Sequence, residues 1–112
     1  MIRLIIGGLP RSGSTLLRFL LDASGQFLTL PETNFFANPL FKRVGKSGQR
    51  YIQNLAKKLD LNEDDIFEAI NNSTSSVSAF DLICDRYARQ KNISYSNWCE
   101  KSPPNCFEYP RL

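Results

Sequence analysis

The sequence predicts an α/β protein with a partial doubly wound, three-layer fold, in which helices flank a short parallel sheet. Short apolar segments alternate with amphipathic helical segments, and a glycine-rich loop separates the first apolar segment from the first helical one. A second apolar segment follows that helix. A strand, a crossover helix and a second strand form a βαβ unit, which favours parallel strands and a right-handed connection.

The three predicted strands are short. Arg3–Ile6 is an apolar run that suits a buried strand, residues 26–30 form the second strand up to Pro31, and residues 95–99 form the third. Lys101 and the following Ser102-Pro103-Pro104 are expected to break the third strand, because proline lacks the backbone donor that a central strand needs.

Helices are predicted between the strands. The first starts near Leu16 and ends near Ser24-Gly25, and three more follow an irregular or partly helical stretch over residues 33–49. Asn62 is the predicted N-cap of the middle one. Asp85 and Arg89 are expected to pair four residues apart. The apolar faces of the three helices comprise Tyr51, Ile52, Leu55 and Leu59; Ile66, Phe67 and Ile70; and Val77, Phe80, Ile83, Cys84 and Tyr87.

Composition narrows the function classes. The chain has 112 residues, enough for one domain, and a net charge of +3 without a dense Lys/Arg stripe, which suits an anionic ligand better than nucleic acid. Three cysteines without a CxxC pair argue against a disulfide framework or a zinc site and favour reduced thiols in the cytoplasm. No segment is long enough to span a membrane. The sequence leaves the oligomeric state open.

Residues 8–15 carry the most informative motif. They match Gly-x-x-x-x-Gly-x-Thr between an apolar strand and a helix, where backbone N–H groups and the helix dipole bind phosphate. Ser14 stands where nucleotide hydrolases have lysine, and the cation lies three positions earlier, at Arg11. An arginine can clamp a phosphosulfate oxygen bidentately without a metal. A glycine- and serine-rich turn without a ligand is the alternative interpretation.

Two further groups are expected beside this loop, because ligands bind at the carboxyl ends of parallel strands. If the three strands are parallel, Arg11, Glu32 and Lys101 converge on one edge of the sheet. Transfer of an anionic group to a hydroxyl or amine needs a base for the acceptor proton, and Glu32 is the best candidate in a chain without histidine. Arg11 and Lys101 can supply positive charge to the transferred group. Surface positions for Glu32 and Lys101 are the alternatives.

Other candidates near this edge rank lower. Glu100 is a second carboxylate, but strand alternation points it away from the side of Lys101. Phe35 and Phe36 could line an acceptor pocket, although core positions are twice as common for such residues by a rough estimate from burial statistics. Trp98 is expected to pack in the core. Cys84, Cys99 and Cys106 have no neighbouring base, which disfavours thiol catalysis.

Three blocks of the sequence together resemble the P-loop sulfotransferases, in particular the branch of bacterial and protein-tyrosine sulfotransferases. The blocks are Gly8-Leu9-Pro10-Arg11-Ser12-Gly13-Ser14-Thr15-Leu16-Leu17-Arg18 with Leu20-Leu21-Asp22-Ala23, then Pro31-Glu32-Thr33-Asn34-Phe35-Phe36, and Trp98-Cys99-Glu100-Lys101-Ser102-Pro103-Pro104-Asn105. The first block is specific, and the order and separation of the other two strengthen the match.

The resemblance implies a function and a set of site residues. The reaction would transfer a sulfuryl group from 3′-phosphoadenosine-5′-phosphosulfate to a hydroxyl or amine of a small-molecule or peptide acceptor, without a metal. Arg11 would contact the phosphosulfate, Glu32 would act as general base and Lys101 would stabilise the transferred group. The implied loop for the 5′-phosphosulfate comprises Pro10, Arg11, Ser12, Gly13, Ser14 and Thr15.

The chain departs from the family pattern near its end. The family binds the 3′-phosphate through an arginine and a serine on a later strand and helix, and Arg111 is the one late arginine here. We therefore expect residues 1–112 to be the N-terminal part of a single sulfotransferase domain, with little or no activity alone. A P-loop kinase or hydrolase and a non-catalytic nucleotide-binding module are the alternative functions.

Overall fold

The structure is a computed structural model that describes residues 1–6, 17, 20–21, 23–36 and 46–102. Within these ranges the chain forms three strands and three complete helices, which confirms the predicted α/β class. The strands are β1 (Arg3–Ile6), β2 (Phe27–Thr29) and β3 (Asn97–Lys101), and the helices are α1 (Lys46–Leu59), α2 (Glu63–Asn71) and α3 (Ser76–Lys91). None of the helices in these ranges is long and apolar enough to cross a membrane.

The described strands form an open parallel sheet in the order β1-β3-β2. The last of the described strands, β3, therefore lies between the first two, and its register pairs Ile6 with Lys101 and Thr29 with Cys99. All three carboxyl ends lie at one edge, as the sequence predicts. This arrangement brings the segment after β2 and the end of β3 together.

The predicted third strand is displaced by two residues, because β3 runs from Asn97 to Lys101 instead of over residues 95–99. The neighbouring strands set this register. The side chain of Asn97 accepts a hydrogen bond from the Ile2 N–H and donates one to the Gln26 carbonyl, so pairing with both neighbours starts there. Pairing extends past Lys101, since the N–H of Ser102 donates to the Ile6 carbonyl over 3.2 Å.

Local signals fix the ends of the helices. The side chain of Asn62 accepts from the Asp64 N–H over 3.0 Å, which confirms the predicted N-cap of α2. Gly25 has φ +73° shortly after the helical residues Leu20, Leu21 and Ala23, in the left-handed region that a glycine after a helix favours. Asp85 and Arg89 form the predicted ion pair, with 2.8 Å between their charged atoms.

The core lies between the sheet and the helices. Four aromatic rings meet at its centre, and their centroids lie 4.6–6.1 Å apart: Phe35, Phe36, Phe80 and Trp98. Phe35 and Phe36 are therefore core residues, and Trp98 packs as predicted. Phe67 is the exception among the predicted apolar faces, since it is 55% exposed. Ile66 and Ile70 are buried on one face of α2. Phe67 follows Ile66 and lies about 100° round the helix from it, which explains its exposure.

Candidate functional site

The candidate site lies at the carboxyl edge of the sheet, where the segment after β2 meets the end of β3. Nζ of Lys101 forms an ion pair and a hydrogen bond with Oε1 of Glu32. The Lys101 side chain is 5% exposed and the Glu32 side chain 44% exposed. The structure thus brings together two of the three predicted site residues, with the cation inside and the carboxylate within reach of solvent.

The backbone that carries Glu32 is held from the helical side. Nζ of Lys58 on α1 donates to the Glu32 carbonyl over 2.8 Å, and the Tyr51 hydroxyl donates to the Thr33 carbonyl over 2.6 Å. Burial, and second the negative charge of Glu100, raise the pKa of Tyr51 well above its usual value. The phenol therefore stays protonated and keeps donating to the loop.

The same loop is held from β3 by a buried carboxylate. Oε1 of Glu100 accepts from the backbone N–H of Thr33 over 3.2 Å, from the Thr33 hydroxyl over 2.8 Å and from the Ser102 hydroxyl over 2.5 Å. Glu100, Thr33 and Ser102 are all buried. Between the two carboxylates at this edge, only Glu32 is exposed enough to meet an acceptor.

The remaining predicted site residues fall outside the described ranges. These are Pro10, Arg11, Ser12, Gly13, Ser14 and Thr15, and their predicted roles stay predictions. The last described residue before them is Ile6, which pairs with Lys101 in the sheet. The predicted phosphate loop therefore begins two residues after the partner of Lys101.

Thiol chemistry finds little support among the described cysteines. Cys84 and Cys99 are buried, and Cys106 lies outside the described residues. Burial, together with the charges of Asp81, Glu100 and Asp85, raises the pKa of the Cys84 thiol. A protonated, buried thiol is a poor nucleophile. No group of three metal-ligating side chains of the kind His, Cys, Asp or Glu occurs in the described part of the chain.

Sequence reasoning missed the residues that hold the loop. Thr33 and Ser102 stand next to predicted site residues, but nothing in their spacing indicates that both donate to Glu100. The helical periodicity places Tyr51 on an apolar face, whereas the hydroxyl at the end of its ring makes the contact with the loop. A short polar run at the end of each of two parallel strands is the signal that could have indicated such hydrogen bonds.

Comparison with known proteins assigns a family. Searches of the curated proteins and of the solved structures gave no significant match. A model of the sulfotransferase family matches residues 3–112, which is nearly the whole chain and includes the loop, the Glu32 segment and the end of β3. The chain belongs to the sulfotransferase family.

Proposed function

We propose that the protein takes part in transfer of a sulfuryl group from 3′-phosphoadenosine-5′-phosphosulfate to a hydroxyl or amine acceptor. The ion pair of Glu32 and Lys101 at the carboxyl edge of the parallel sheet carries the proposal. It combines a base and a cation at the place where this type of fold binds its ligands. The family match supports sulfuryl transfer as the reaction class.

The two charges suit the two needs of the reaction. The acceptor oxygen or nitrogen attacks the sulfur atom, and the bond from sulfur to the 5′-phosphate oxygen breaks. The acceptor proton goes to the Glu32 carboxylate, and adenosine 3′,5′-bisphosphate leaves. Lys101 donates hydrogen bonds to the oxygens of the transferred sulfuryl group and offsets the negative charge that develops as the bond to the phosphate oxygen breaks.

The burial of the pair supports this division of roles. Lys101 is enclosed by the sheet edge, where a low local dielectric strengthens its attraction for an anionic donor. Glu32 is half exposed, so an acceptor can approach its carboxylate. In the absence of donor each charge balances the other, which limits the cost of keeping Lys101 buried and charged.

The donor loop completes the proposal. Arg11 and the hydroxyls of Ser14 and Thr15 would hold the 5′-phosphosulfate, and β1 leads towards them from Ile6, the sheet partner of Lys101. The acceptor would be a small molecule or a peptide. The predictions that residues 1–112 form the N-terminal part of one domain, and that the protein is cytoplasmic, stay predictions.

The test compares Glu32→Gln with the parent chain. Transfer of labelled sulfate to a panel of phenols, sugars, amines and tyrosine peptides is expected to fall by about 10²- to 10⁴-fold, the usual contribution of a general base. Binding of adenosine 3′,5′-bisphosphate, measured by calorimetry, is expected to stay unchanged. Glu68→Gln on α2 is the matched control, because this glutamate is exposed and lies away from the sheet edge.

Each alternative result has a distinct meaning. Transfer at the parent rate by Glu32→Gln would remove Glu32 from the mechanism. Product binding by the parent without transfer to any acceptor would favour the non-catalytic nucleotide-binding module. Magnesium-dependent binding of ATP in preference to the sulfate donor would favour the kinase or hydrolase. Arg11→Ala is expected to weaken product binding, and equal binding would remove Arg11 from the site.

A further inference from the structure

The carboxylate of Glu100 has a role that the proposed reaction does not give it. It is fully buried at the end of β3, one residue before Lys101. Three donors within the described residues converge on its Oε1, and two of them belong to Thr33, the residue after Glu32. A buried carboxylate with this many directed donors holds those groups in a defined geometry.

Each of the two hydroxyl groups beside Glu100 donates one hydrogen bond and accepts another. The Thr33 hydroxyl gives its proton to Glu100 and accepts from the Phe35 N–H over 3.1 Å. The Ser102 hydroxyl gives its proton to Glu100 and accepts from the Asn34 N–H over 3.0 Å. Glu100 therefore orients both hydroxyls, and through them the backbone of residues 33–35.

This network ties the two sides of the candidate site to each other. Thr33 carries the backbone on from Glu32, and Ser102 carries it on from Lys101, so bonds to one carboxylate fix both neighbouring segments. A base has to lie within a few tenths of an ångström of its working position, because small displacements cost much of the rate. The ion pair alone does not fix the loop backbone.

We propose that Glu100 is a positioning residue, whose hydrogen bonds to Thr33 and Ser102 hold Glu32 beside Lys101 in the geometry for proton removal. The inference rests on the proposed function, since it assigns Glu100 a part in the same site. Glu100 acts through Thr33 and does not touch the reacting atoms. Its burial and the half-exposed position of Glu32 distinguish the two carboxylates.

The main experiment is a double-mutant cycle between Thr33 and Glu32. Thr33→Val keeps the shape of the side chain and removes the hydroxyl between Glu100 and the Phe35 N–H. We expect kcat to fall by about 10- to 100-fold, with KM for the donor unchanged, as a displaced base requires. In a Glu32→Gln background the same substitution should leave the residual rate nearly unchanged, because both changes act on one step.

Conservative variants separate positioning from catalysis by Glu100 itself. Thr33→Ser restores the hydroxyl and should restore most of kcat. Glu100→Gln keeps an oxygen acceptor and should cost less than about tenfold, whereas a general base would lose about 10²- to 10⁴-fold on the same change. Thr74→Val, at an exposed threonine between α2 and α3, is the matched control and should keep the parent rate.

Failure of the inference differs from failure of the proposed function. If Glu32→Gln abolishes transfer but Thr33→Val keeps the parent kcat, or lowers it equally in both backgrounds, the positioning role is wrong. If the parent neither transfers sulfate nor binds adenosine 3′,5′-bisphosphate, the proposed function fails, and amide hydrogen exchange decides about Glu100. The Thr33 and Asn34 amides should then be protected in the parent and exchange at least about tenfold faster in Thr33→Val. Unchanged protection would overturn the inference.

Discussion

A carboxylate accepts several hydrogen bonds near each end of β3, but the two carboxylates hold different parts of the molecule. At the start of the strand, Asp81 on α3 accepts from Nε1 of Trp98 over 2.7 Å and pairs with the Arg3 guanidinium over 2.9 Å. At the end of the strand, Glu100 accepts from neutral donors of Thr33 and Ser102. Asp81 thus ties a helix to two strands, whereas Glu100 ties together two loop segments.

The difference between the ends follows from what each carboxylate holds. Arg3 and Trp98 lie within paired strands, so the bonds of Asp81 reinforce an arrangement that the sheet already fixes. Thr33 lies beyond the end of β2, where no described ladder continues. Its position depends on side-chain bonds. We therefore expect changes at the carboxyl end to alter sulfuryl transfer more than stability, and changes at the other end to do the opposite.

Lys101→Met is the substitution expected to give the largest effect. It removes the cation beside Glu32 and keeps a flexible side chain of similar length. Transfer should fall by about 10²- to 10³-fold, as for loss of one group that stabilises transition-state charge. Stability should change little, because the Glu32 carboxylate that loses its partner is 44% exposed and can be solvated by water. Initial rates with labelled donor and the thermal unfolding midpoint measure the two effects.

Lys57→Met is the control for this experiment, since Lys57 is an exposed lysine near the end of α1. It should keep both the parent rate and the parent midpoint. A large drop of the unfolding midpoint in Lys101→Met, with transfer unchanged, would break the comparison. The ion pair with Glu32 would then serve stability, as the pair of Asp81 and Arg3 does.

Most of the architecture could be predicted from the sequence. The apolar segments predict the three strands, and the Asn62 cap predicts the start of α2. The expected parallel arrangement of the strands, with ligands at their carboxyl ends, places Glu32 and Lys101 at one edge of the sheet, and the two side chains pair there. The displacement of β3 could not be predicted, because the side chain of Asn97 sets the start of pairing through contacts with Ile2 and Gln26. Such long-range bonds leave no periodic pattern.

The hydrogen bonds that Glu100 accepts from Thr33 and Ser102 could not be predicted from the sequence either. Residues 33 and 100 are far apart in the chain, and a glutamate in a strand usually indicates an exposed position. Its burial becomes favourable only because the hydroxyls of Thr33 and Ser102 meet it there. Periodicity describes apolar faces well, and it describes poorly those sites where polar groups satisfy one another in the core.

Tyr51→Phe sharpens the comparison by removing one hydroxyl at the carboxyl end. The Thr33 carbonyl loses the donor that lies 2.6 Å away, which should cost about 1–3 kcal/mol of stability if that carbonyl stays buried. We expect a drop in kcat of no more than about tenfold, because the bonds to Glu100 remain. Chemical denaturation and initial rates measure these effects. Tyr87→Phe on α3 is the matched control. A larger loss of rate in Tyr51→Phe than in Thr33→Val would make Tyr51 the main support of the loop.

Asp81→Asn should give the smallest effect on transfer, because Asp81 holds the other end of the strand. Partial burial raises the pKa of Asp81, but hydrogen bonds from Arg3 and Trp98 and the charge of Arg3 outweigh it, so that the pKa is lowered overall. A lowered pKa in the folded state contributes stability above the unfolded value of about 4, and this contribution is lost as the pH falls through the folded value. The substitution removes that contribution.

Near neutral pH, the free energy of unfolding of Asp81→Asn should therefore be about 1 kcal/mol lower than that of the parent, and its unfolding midpoint should be lower as well. The gap should begin to narrow as the pH falls below about 4 and should close once the pH has fallen past the lowered pKa of the folded state, where the parent carboxylate is protonated. Asp85→Asn, which removes an exposed ion pair with Arg89, is the control and should show a smaller gap. A gap that stays constant at acid pH would mean that Asp81 stabilises the fold through its shape and hydrogen bonds, and not through its charge.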